Sequence, residues 1–432
     1  ADERNPQGTA GIAGRVQPPD GNHLEESGGD GGMMWEKVKL GDIATCIQPG
    51  PFGSQLHNSD YSKEGTPIIM PKDIVGGAIV HSGLLKVSEE HVKRLSRHQV
   101  YEGNLMVARK GDVRKCAYIT ANENGWMTGS DCLKVVLDES KCYPKFIYYQ
   151  LRSEHIGRWL EKVSIGATMP SLNTGLLSGI EMVLPPIEIQ KQIAGILSVY
   201  DDLIKNNQKQ IKLLEEVARR LYKEWFVDLR FPGHENTKIV DGVPEGWSKS
   251  TVGNICKLRK VVITPDKIKS NTPYIGLEHM PRNDICLSMW GKSEEINSNK
   301  FIYLKKDVLF GKIRPYFHKV GFALNDGITS TDTMVMVANQ NLWGLLLVTV
   351  SSDAFVDFSY QNCKEGAKMP RADWKQMEKY AIMIADQATQ KLFEQEILVI
   401  TNKISTLAFQ CRSLREARDR MLPKLMGGEV EA

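Results

Sequence analysis

The sequence predicts an α+β protein: two similar mixed α/β domains joined by two long helices that pair as an antiparallel coiled coil, with pseudo-twofold symmetry. Three observations predict this architecture. The chain repeats itself at a spacing of about 200 residues, each repeat ends in a long heptad pattern, and each begins with short β-type runs separated by turns. Two copies of one plan on a single chain are typical of a pseudo-dimer rather than of a stacked array.

Composition limits the class of protein. The 432 residues are 41% apolar and 25% charged, which favours two or three folded domains over a disordered chain. No apolar run approaches the roughly 20 residues that a membrane-spanning helix needs. The eight cysteines contain no Cys-x-x-Cys pair, so we expect neither a zinc ribbon nor a disulfide framework, and we predict a reducing, cytoplasmic location. A net charge of +3 does not by itself indicate a nucleic-acid-binding protein.

Residues 1–34 differ from the rest of the chain. They carry two basic and six acidic residues, a balance of −4, so the remainder carries +7. They are rich in glycine, proline and polar residues and contain no aromatic side chain. We interpret them as a disordered acidic extension or a cloning remnant and exclude them from the fold.

The repeat is most faithful in its second part. A shift of 200 residues places residues 166–170 (Gly-Ala-Thr-Met-Pro) on residues 366–370 (Gly-Ala-Lys-Met-Pro), and the same shift continues beyond them. Upstream, residues 35–43 resemble residues 247–255 at a shift of 212. Each copy therefore combines a variable part with a faithful segment.

Two heptad patterns predict the long helices. Ten positions between 193 and 225 alternate in steps of four and three residues, and nine of them are apolar; the positions 200 residues later are also apolar in nine of ten cases. This pattern indicates a coiled-coil seam, and its 33 residues at 1.5 Å each form a rod of about 50 Å, although one such stripe alone is equally typical of a core-facing helix. The predicted seam residues are Ile193, Leu197, Tyr200, Ile204, Asn207, Ile211, Leu214, Leu221, Ile397, Ile400, Ile404, Leu407 and Leu414.

Three seam positions carry separate expectations. Pro423 should stop or kink the second helix near Leu422, so we expect Leu425 to lie outside the seam. Asn207 either fixes the register of the pair or faces solvent near a break in the seam. Arg418 is expected to be exposed near a frayed helix end.

The division of the chain follows from these patterns. Because a whole domain separates the two helices in sequence, either orientation is possible, but twofold-related domains at the ends of the rods favour antiparallel pairing. Residues 144–160 are the best helical candidate within the first domain. The predicted boundaries are 1–34 for the extension, 35–184 for the first domain, 185–232 for the first spacer helix, 233–385 for a linker and the second domain, 386–426 for the second spacer helix and 427–432 for a tail.

Two basic loops occupy corresponding places in the two domains. Residues 109–115 follow one β-type run, and residues 312–319 follow its counterpart. Such loops suit phosphate contacts and groove binding, whereas the alternative is a solvated hairpin tip. A Gly/Pro-rich turn at residues 48–55 carries Gln and Ser, which can read base edges, or it simply reverses the chain. The candidate DNA-binding residues are Gln48, Ser54, Gln55, Arg109, Lys110, Arg114, Lys115, Lys312, Arg314, Tyr316, His318 and Lys319.

Motifs for catalysis are missing. The Pro-Pro pair at 185–186 follows Leu184, whose apolar side chain cannot hold the target amine of an amino-methyltransferase. Cys286 stands where a phosphate-binding loop ending in Gly291-Lys292-Ser293 would need glycine, and no His-Glu-x-x-His sequence occurs. We therefore predict a non-catalytic chain that binds no metal or cofactor; a site assembled from distant residues is the alternative.

These features resemble the specificity subunit of a type I restriction-modification system. The resemblance covers residues 35–426 and rests on the opening at 35–43, the turn at 50–54, Met169-Pro170, the Leu-Pro-Pro helix start within 184–193 and the helix end at 221–226. In the second copy, Ile384-Ala385-Asp386 replaces Leu-Pro-Pro, and residues 377–380 are unusually charged, which leaves the start of the second helix open.

The resemblance implies two target-recognition domains, each reading one half of a bipartite double-stranded DNA site, and helices that act as a spacer. It also implies two modification subunits, which use S-adenosylmethionine to methylate adenine, and in complete systems restriction subunits, which use ATP and Mg. Rods of about 50 Å could hold two readers roughly one turn of DNA apart, about 34 Å. The alternative is a coiled-coil scaffold with protein-binding domains, and a steep salt dependence of duplex affinity would distinguish the two.

Overall fold

The structure of the chain is a computed structural model that describes residues 35–164, 170–294, 296–363 and 369–426. The predictions of an acidic extension at 1–34 and of a tail at 427–432 lie outside the described residues. Within the described ranges, no helix is both long enough and apolar enough to cross a membrane.

The first domain is a mixed α/β unit that leads directly into a long helix. Its strands are β1 (Glu36–Lys39), β2 (Ala44–Pro49), β3 (Tyr61–Ser62), β4 (Thr66–Ile69), β5 (Ile74–Val75), β6 (Ala78–Ile79), β7 (Leu85–Val87), β8 (Leu105–Ala108), β9 (Cys116–Tyr118), β10 (Met127–Thr128), β11 (Cys132–Leu137) and β12 (Glu181–Leu184). Its helices are α1 (Glu89–Arg94), α2 (Pro144–Leu151), α3 (Glu154–Val163) and α4 (Thr174–Ser178), and the long helix is α5 (Ile187–Tyr222).

The second domain has the same plan and leads into the second long helix. Its strands are β13 (Ile239–Val240), β14 (Val243–Pro244), β15 (Ser248–Thr251), β16 (Cys256–Leu258), β17 (Val262–Ile263), β18 (Tyr274–Ile275), β19 (Cys286–Leu287), β20 (Lys300–Tyr303), β21 (Val308–Gly311), β22 (Val320–Ala323), β23 (Gly327–Thr329), β24 (Thr333–Ala338) and β25 (Ala381–Ile384). Its helices are α6 (Val252–Ile255), α7 (Trp343–Val350), α8 (Asp353–Gln361) and α9 (Trp374–Met377), and the long helix is α10 (Gln387–Met426).

Both domains are built on the same antiparallel sheet. Its strand order is β2-β11-β8-β9 in the first domain and β16-β24-β21-β22 in the second, where β19 adds a parallel strand at the edge. A second strand pairing also recurs: β1 pairs with β12 and β15 pairs with β25, each antiparallel. This pairing brings the start of each domain beside the residues that enter its long helix.

A smaller sheet differs between the domains. Each copy contains a parallel pair, β4 with β10 and β18 with β23. The next antiparallel strand adds to β4 in the first domain, as β7, but to β23 in the second, as β20. The variable part of the repeat has therefore diverged in topology as well as in sequence.

The two long helices lie antiparallel. Cys411 Sγ lies 3.7 Å from the carbonyl oxygen of Ile204, and Asn207 Nδ2 donates to Gln410 Oε1 at 3.4 Å. Nearer the start of α5, Asp201 pairs with Arg418. Partner numbers on α10 rise as the numbers on α5 fall, which confirms the predicted antiparallel coiled coil and places its pseudo-twofold axis near Asn207.

The ends of the seam enter the domain cores. Leu422 and Leu425 of α10 belong to the buried cluster of the first domain, and Ala218 of α5 belongs to that of the second. The predicted seam residues divide by burial: Ile193, Leu197, Ile204, Ile397, Ile400, Ile404 and Leu407 are buried, whereas Tyr200, Asn207, Ile211, Leu214, Leu221 and Leu414 are half-buried.

The expectation that Pro423 stops the second helix near Leu422 is wrong. Helix α10 continues through this proline to Met426, and Leu425 is only 2% exposed. Pro423 removes a backbone N–H only in the last turn of the helix, where few further hydrogen bonds depend on it. Burial of Leu422 and Leu425 in the first domain stabilises this turn.

The expectation for Arg418 is also wrong. Its side chain is 12% exposed and forms an ion pair with Asp201 of α5. Asp201 additionally accepts a hydrogen bond from Tyr149 Oη at 2.9 Å and lies 3.6 Å from Arg152 Nη1. The network joins both long helices to α2, so Arg418 anchors the first domain instead of fraying.

Helix boundaries differ from the sequence prediction at two places, and the start of the second long helix, which the sequence left open, lies where the predicted boundary puts it. Helix α5 ends at Tyr222 and passes into a π-helical turn, Lys223–Val227, short of residue 232. The helix predicted at 144–160 is two helices, because Ser153 caps a new start by accepting from Ile156 N. In the second copy, Asp386 accepts from Ala388 N and Thr389 N, and this N-cap replaces the proline start of the first copy.

Replacing Arg418 by Ala is expected to lower the free energy of unfolding by about 3 kcal/mol, because it leaves Asp201 partly buried without its main cation. Arg220→Ala is the matched control, since Arg220 forms an exposed pair with Glu216 within α5 and should cost about 0.5 kcal/mol or less. Urea denaturation measures both values. Equal effects of the two substitutions would show that the network does not stabilise the junction.

Candidate nucleic-acid interface

The predicted basic loops are the connections of equivalent hairpins. Residues 109–115 join β8 to β9, and residues 312–319 join β21 to β22. Because the central sheets have the same strand order, the two loops leave the same edge of each domain.

Backbone hydrogen bonds hold both loops in the same way. In each domain, the backbone of the first loop residue is hydrogen-bonded to an aspartate and to the second residue after the Met-Pro sequence. The backbone N–H of the third loop residue donates to the proline of that sequence. The first domain has Arg109 N to Asp131 O (2.7 Å), Leu172 N to Arg109 O (2.8 Å) and Gly111 N to Pro170 O (3.1 Å). The second domain has Lys312 N to Asp332 O (2.8 Å), Ala372 N to Lys312 O (2.9 Å) and Arg314 N to Pro370 O (2.9 Å).

An aspartate holds one cation at this site in each domain. Asp131 pairs with Lys110 at 3.1 Å, and Asp332 pairs with Arg371 at 3.0 Å. In each domain a β-bridge joins the loop to the segment after the Met-Pro sequence. The cation lies on the loop side of this bridge in the first domain and on the other side in the second. The bridged pairs are Lys110 with Ser171 and Ile313 with Arg371. The exposed cation is thus preserved although it has moved from one segment to the other.

The turn at residues 48–55 lies beside the first loop. Phe52 is 55% exposed, and the guanidinium of Arg109, which is half-buried, lies 5.7 Å from the centre of its ring. Ser54 is exposed, and Gln55 is half-buried. Arg109, Phe52 and Ser54 therefore offer a planar cation, an aromatic ring and a hydroxyl on one surface.

The side chain of Gln48 is hydrogen-bonded to a buried histidine, His98. Its amide nitrogen lies 3.0 Å from His98 Nδ1, and Arg97 Nε donates to His98 Nε2 at 3.1 Å. His98 is 2% exposed, and its burial, together with the nearby charges of Arg97 and Lys134, lowers its pKa to about 4. The imidazole is consequently neutral near pH 7 and orients the Gln48 amide.

Two predicted cations of the first loop are used within the domain. Arg114 pairs with Glu154 and with Glu161, and the hydrogen bond that Arg114 donates to Glu154 is the main cause that raises the pKa of Arg114. Lys115 donates to the carbonyl oxygen of Pro71 at 3.2 Å. These contacts attach the loop to α3 and to the turn after β4.

In the second loop, too, some of the predicted DNA-binding residues make contacts within the domain. Lys312 is half-buried and donates to Thr331 O at 2.6 Å, and Lys319 donates to Leu277 O. His318 is 8% exposed, with Nε2 2.8 Å from Ser351 O, so it packs the base of the loop and faces inward.

The outer side of the second loop is aromatic and basic. Arg314 is exposed, and Tyr316 is 46% exposed. The guanidinium of Arg282 lies 3.9 Å from the centre of the Phe317 ring, and that of Arg314 lies 5.7 Å from it. Two arginines on one ring give this surface a local positive charge that suits nucleic acid.

The chain is similar to one family of known proteins. Residues 33–216 match the family model of the type I restriction modification DNA specificity domain. The MjaIX specificity subunit of Methanocaldococcus jannaschii is 24% identical over 427 residues, which span 92% of this chain and 93% of the relative. Residues 33–216 thus match this domain family, and nearly the whole chain is similar to a type I specificity subunit. The MjaVIII specificity subunit of the same organism is 31% identical over 191 residues, spanning 43% of this chain and 44% of the relative.

A solved structure of the family has a similar fold. The crystal structure of the S subunit of a type I restriction-modification system from M. genitalium aligns with a TM-score of 0.51 and 16% identity, covering 90% of this chain and 96% of that one. This likeness supports the overall fold described above.

Four residues of the candidate interface were not predicted from the sequence: Phe52, His98, Arg282 and Arg371. The repeat could have revealed Arg371, because the 200-residue shift places it on Ser171 beside the Met-Pro sequence. Arg282 and His98 carry no such signal, since their neighbours in space are distant in sequence.

The protein should lose stability on acidification because of His98. Between pH 6.5 and about 4 the unfolded chain binds a proton at this position and the folded chain does not, so the free energy of unfolding falls with falling pH, by up to about 3 kcal/mol. The His98→Asn variant should lose this component in urea denaturation at a series of pH values. Exposed His155→Asn serves as the control, and an unaltered pH profile for His98→Asn would contradict the buried neutral imidazole.

Proposed function

We propose that this specificity subunit binds double-stranded DNA at a bipartite site, that each domain reads one half of it, and that α5 and α10 set the spacer between the halves. The observation that carries the proposal is the pair of basic loops held by identical backbone hydrogen bonds in two domains of one pseudo-twofold molecule. The packing of α5 against α10, largely apolar with polar contacts at Asn207 and Asp201, would hold these two surfaces apart.

The paired helices also offer a docking surface for modification subunits. Val199, Leu203, Leu213 and Val217 of α5 are between 46% and 58% exposed and form a stripe outside the seam that is interrupted by polar Asn206 and Gln210. Partner helices with apolar faces would bury this stripe. Two such subunits would use S-adenosylmethionine to methylate adenine, and restriction subunits would use ATP and Mg.

The chain itself acts as the non-catalytic subunit and binds none of these cofactors. Its work is to position DNA for the modification subunits. Eight free cysteines suit the reducing cytoplasm in which DNA modification would take place.

Replacing Arg109 and Lys110 by Ala together should weaken binding to one half-site only. The loss of about two phosphate contacts should reduce affinity at low salt and lower the slope of log affinity against log salt by roughly 2. Binding is measured with duplexes in which one or the other half-site is scrambled. Lys209→Ala, on the exposed side of α5, is the control and should change nothing; equal losses at both half-sites would contradict two separate readers.

Inserting one heptad into each helix should lengthen the unread gap. Insertions after Asn207 and after Gln410, which face each other, keep the seam in register and add about 10 Å, or roughly three base pairs. A heptad in α5 alone is the control, because it breaks the register of the pair. Methylation mapping with the modification subunits reads the gap, and an unchanged gap in the double insertion would refute the spacer role.

A further inference from the structure

We propose that Arg314 reads a guanine in the half-site bound by the second domain, whereas Lys110 and Arg371 make phosphate contacts that the two domains share. The inference rests on the proposed function, and it divides the cations of the interface into base-reading and backbone-binding groups. It follows from a residue-by-residue comparison of the two loops.

Arg314 occupies the position that Gly111 occupies in the first domain. Each is the third residue of its loop, and each donates its backbone N–H to the proline carbonyl of the Met-Pro sequence, at 2.9 Å and 3.1 Å. Both have left-handed backbone, with φ of +50° for Arg314 and +79° for Gly111. The hairpin therefore requires this conformation in both domains.

A left-handed backbone disfavours any residue with a Cβ atom and suits glycine. Gly111 shows that the loop folds on this scaffold without a side chain. The arginine at position 314 is therefore not needed by the loop conformation, and an unfavourable backbone kept at an exposed position indicates a role for the side chain itself.

The Arg314 side chain is available to a ligand. It is exposed, and among the described residues no carboxylate forms an ion pair with it. Phe317 lies beneath its guanidinium, and Arg282 lies over the same ring. This contact limits the swing of a planar guanidinium, and among the described residues no hydrogen bond occupies its donors.

The cation shared by the two domains suits the phosphate backbone. Both half-sites present the same phosphates but different bases, so contacts common to both copies should be independent of sequence. Lys110 and Arg371 are exposed cations that pair with equivalent aspartates, Asp131 in the first domain and Asp332 in the second. Arg314 has no counterpart in the first domain, as a base-reading residue requires, and a guanidinium matches the O6 and N7 acceptors of guanine.

The test uses the full chain and a pool of duplexes randomised within each half-site. The Arg314→Gly variant should keep or raise the midpoint of thermal unfolding, because glycine relieves the left-handed backbone. It should lose about 10- to 100-fold discrimination at one G·C pair of one half-site. Arg314→Lys keeps the charge and should restore overall affinity without full discrimination. Arg371→Ser, which introduces the residue found at the equivalent Ser171, should weaken all sequences equally and lower the salt slope by about 1.

Two results would overturn the inference. One is an Arg314→Gly chain that retains the preference of the unaltered chain at every base pair. The other is a uniform loss of affinity with a reduced salt slope, which would make Arg314 a phosphate contact. If the unaltered chain selects no sequence from the pool, the proposed function itself fails, and that outcome is distinct from both.

Discussion

The architecture depends on the antiparallel packing of α5 against α10. Because the helices run in opposite directions, each carries its far end into the domain of the other copy: Leu422 and Leu425 enter the core of the first domain, and Trp225 and Phe226 enter that of the second. Neither core is complete without the helix of the other repeat. Apolar burial, rather than a flexible linker, therefore sets the separation and orientation of the two domains.

The two junctions between domain and helices are nevertheless built differently. At the first, Asp201 and Arg418 form a partly buried ion pair; the equivalent positions at the second are Thr401 and Ala218, both almost fully buried and uncharged. A partly buried charge is satisfied only when its partner lies opposite, so the ion pair favours one register over slipped alternatives. The apolar junction contributes burial but less directional preference.

Divergence between the copies is concentrated where different half-sites would have to be recognised. The central sheet, the strand that closes each domain and the hydrogen bonds under the basic loops are the same in both, whereas the smaller sheet has changed its strand order. The cation paired with the equivalent aspartates, Asp131 and Asp332, is Lys110 in the first domain and Arg371, on the other side of the β-bridge, in the second. A common scaffold with locally altered side chains allows two specificities on one symmetric frame.

The sequence by itself determined the paired helices, the twin domains and the location of the basic loops, because heptad spacing, internal repetition and clustered charge are properties of the chain read in order. Only the tertiary structure decided which loop cations face outward: Arg114 and Lys319 are held by groups distant in sequence, while Arg371 reaches the site from another segment. The same limit explains Pro423 and Arg418. Their environments depend on what lies across the seam, and hydrophobic burial or a partner charge there outweighs the local preference.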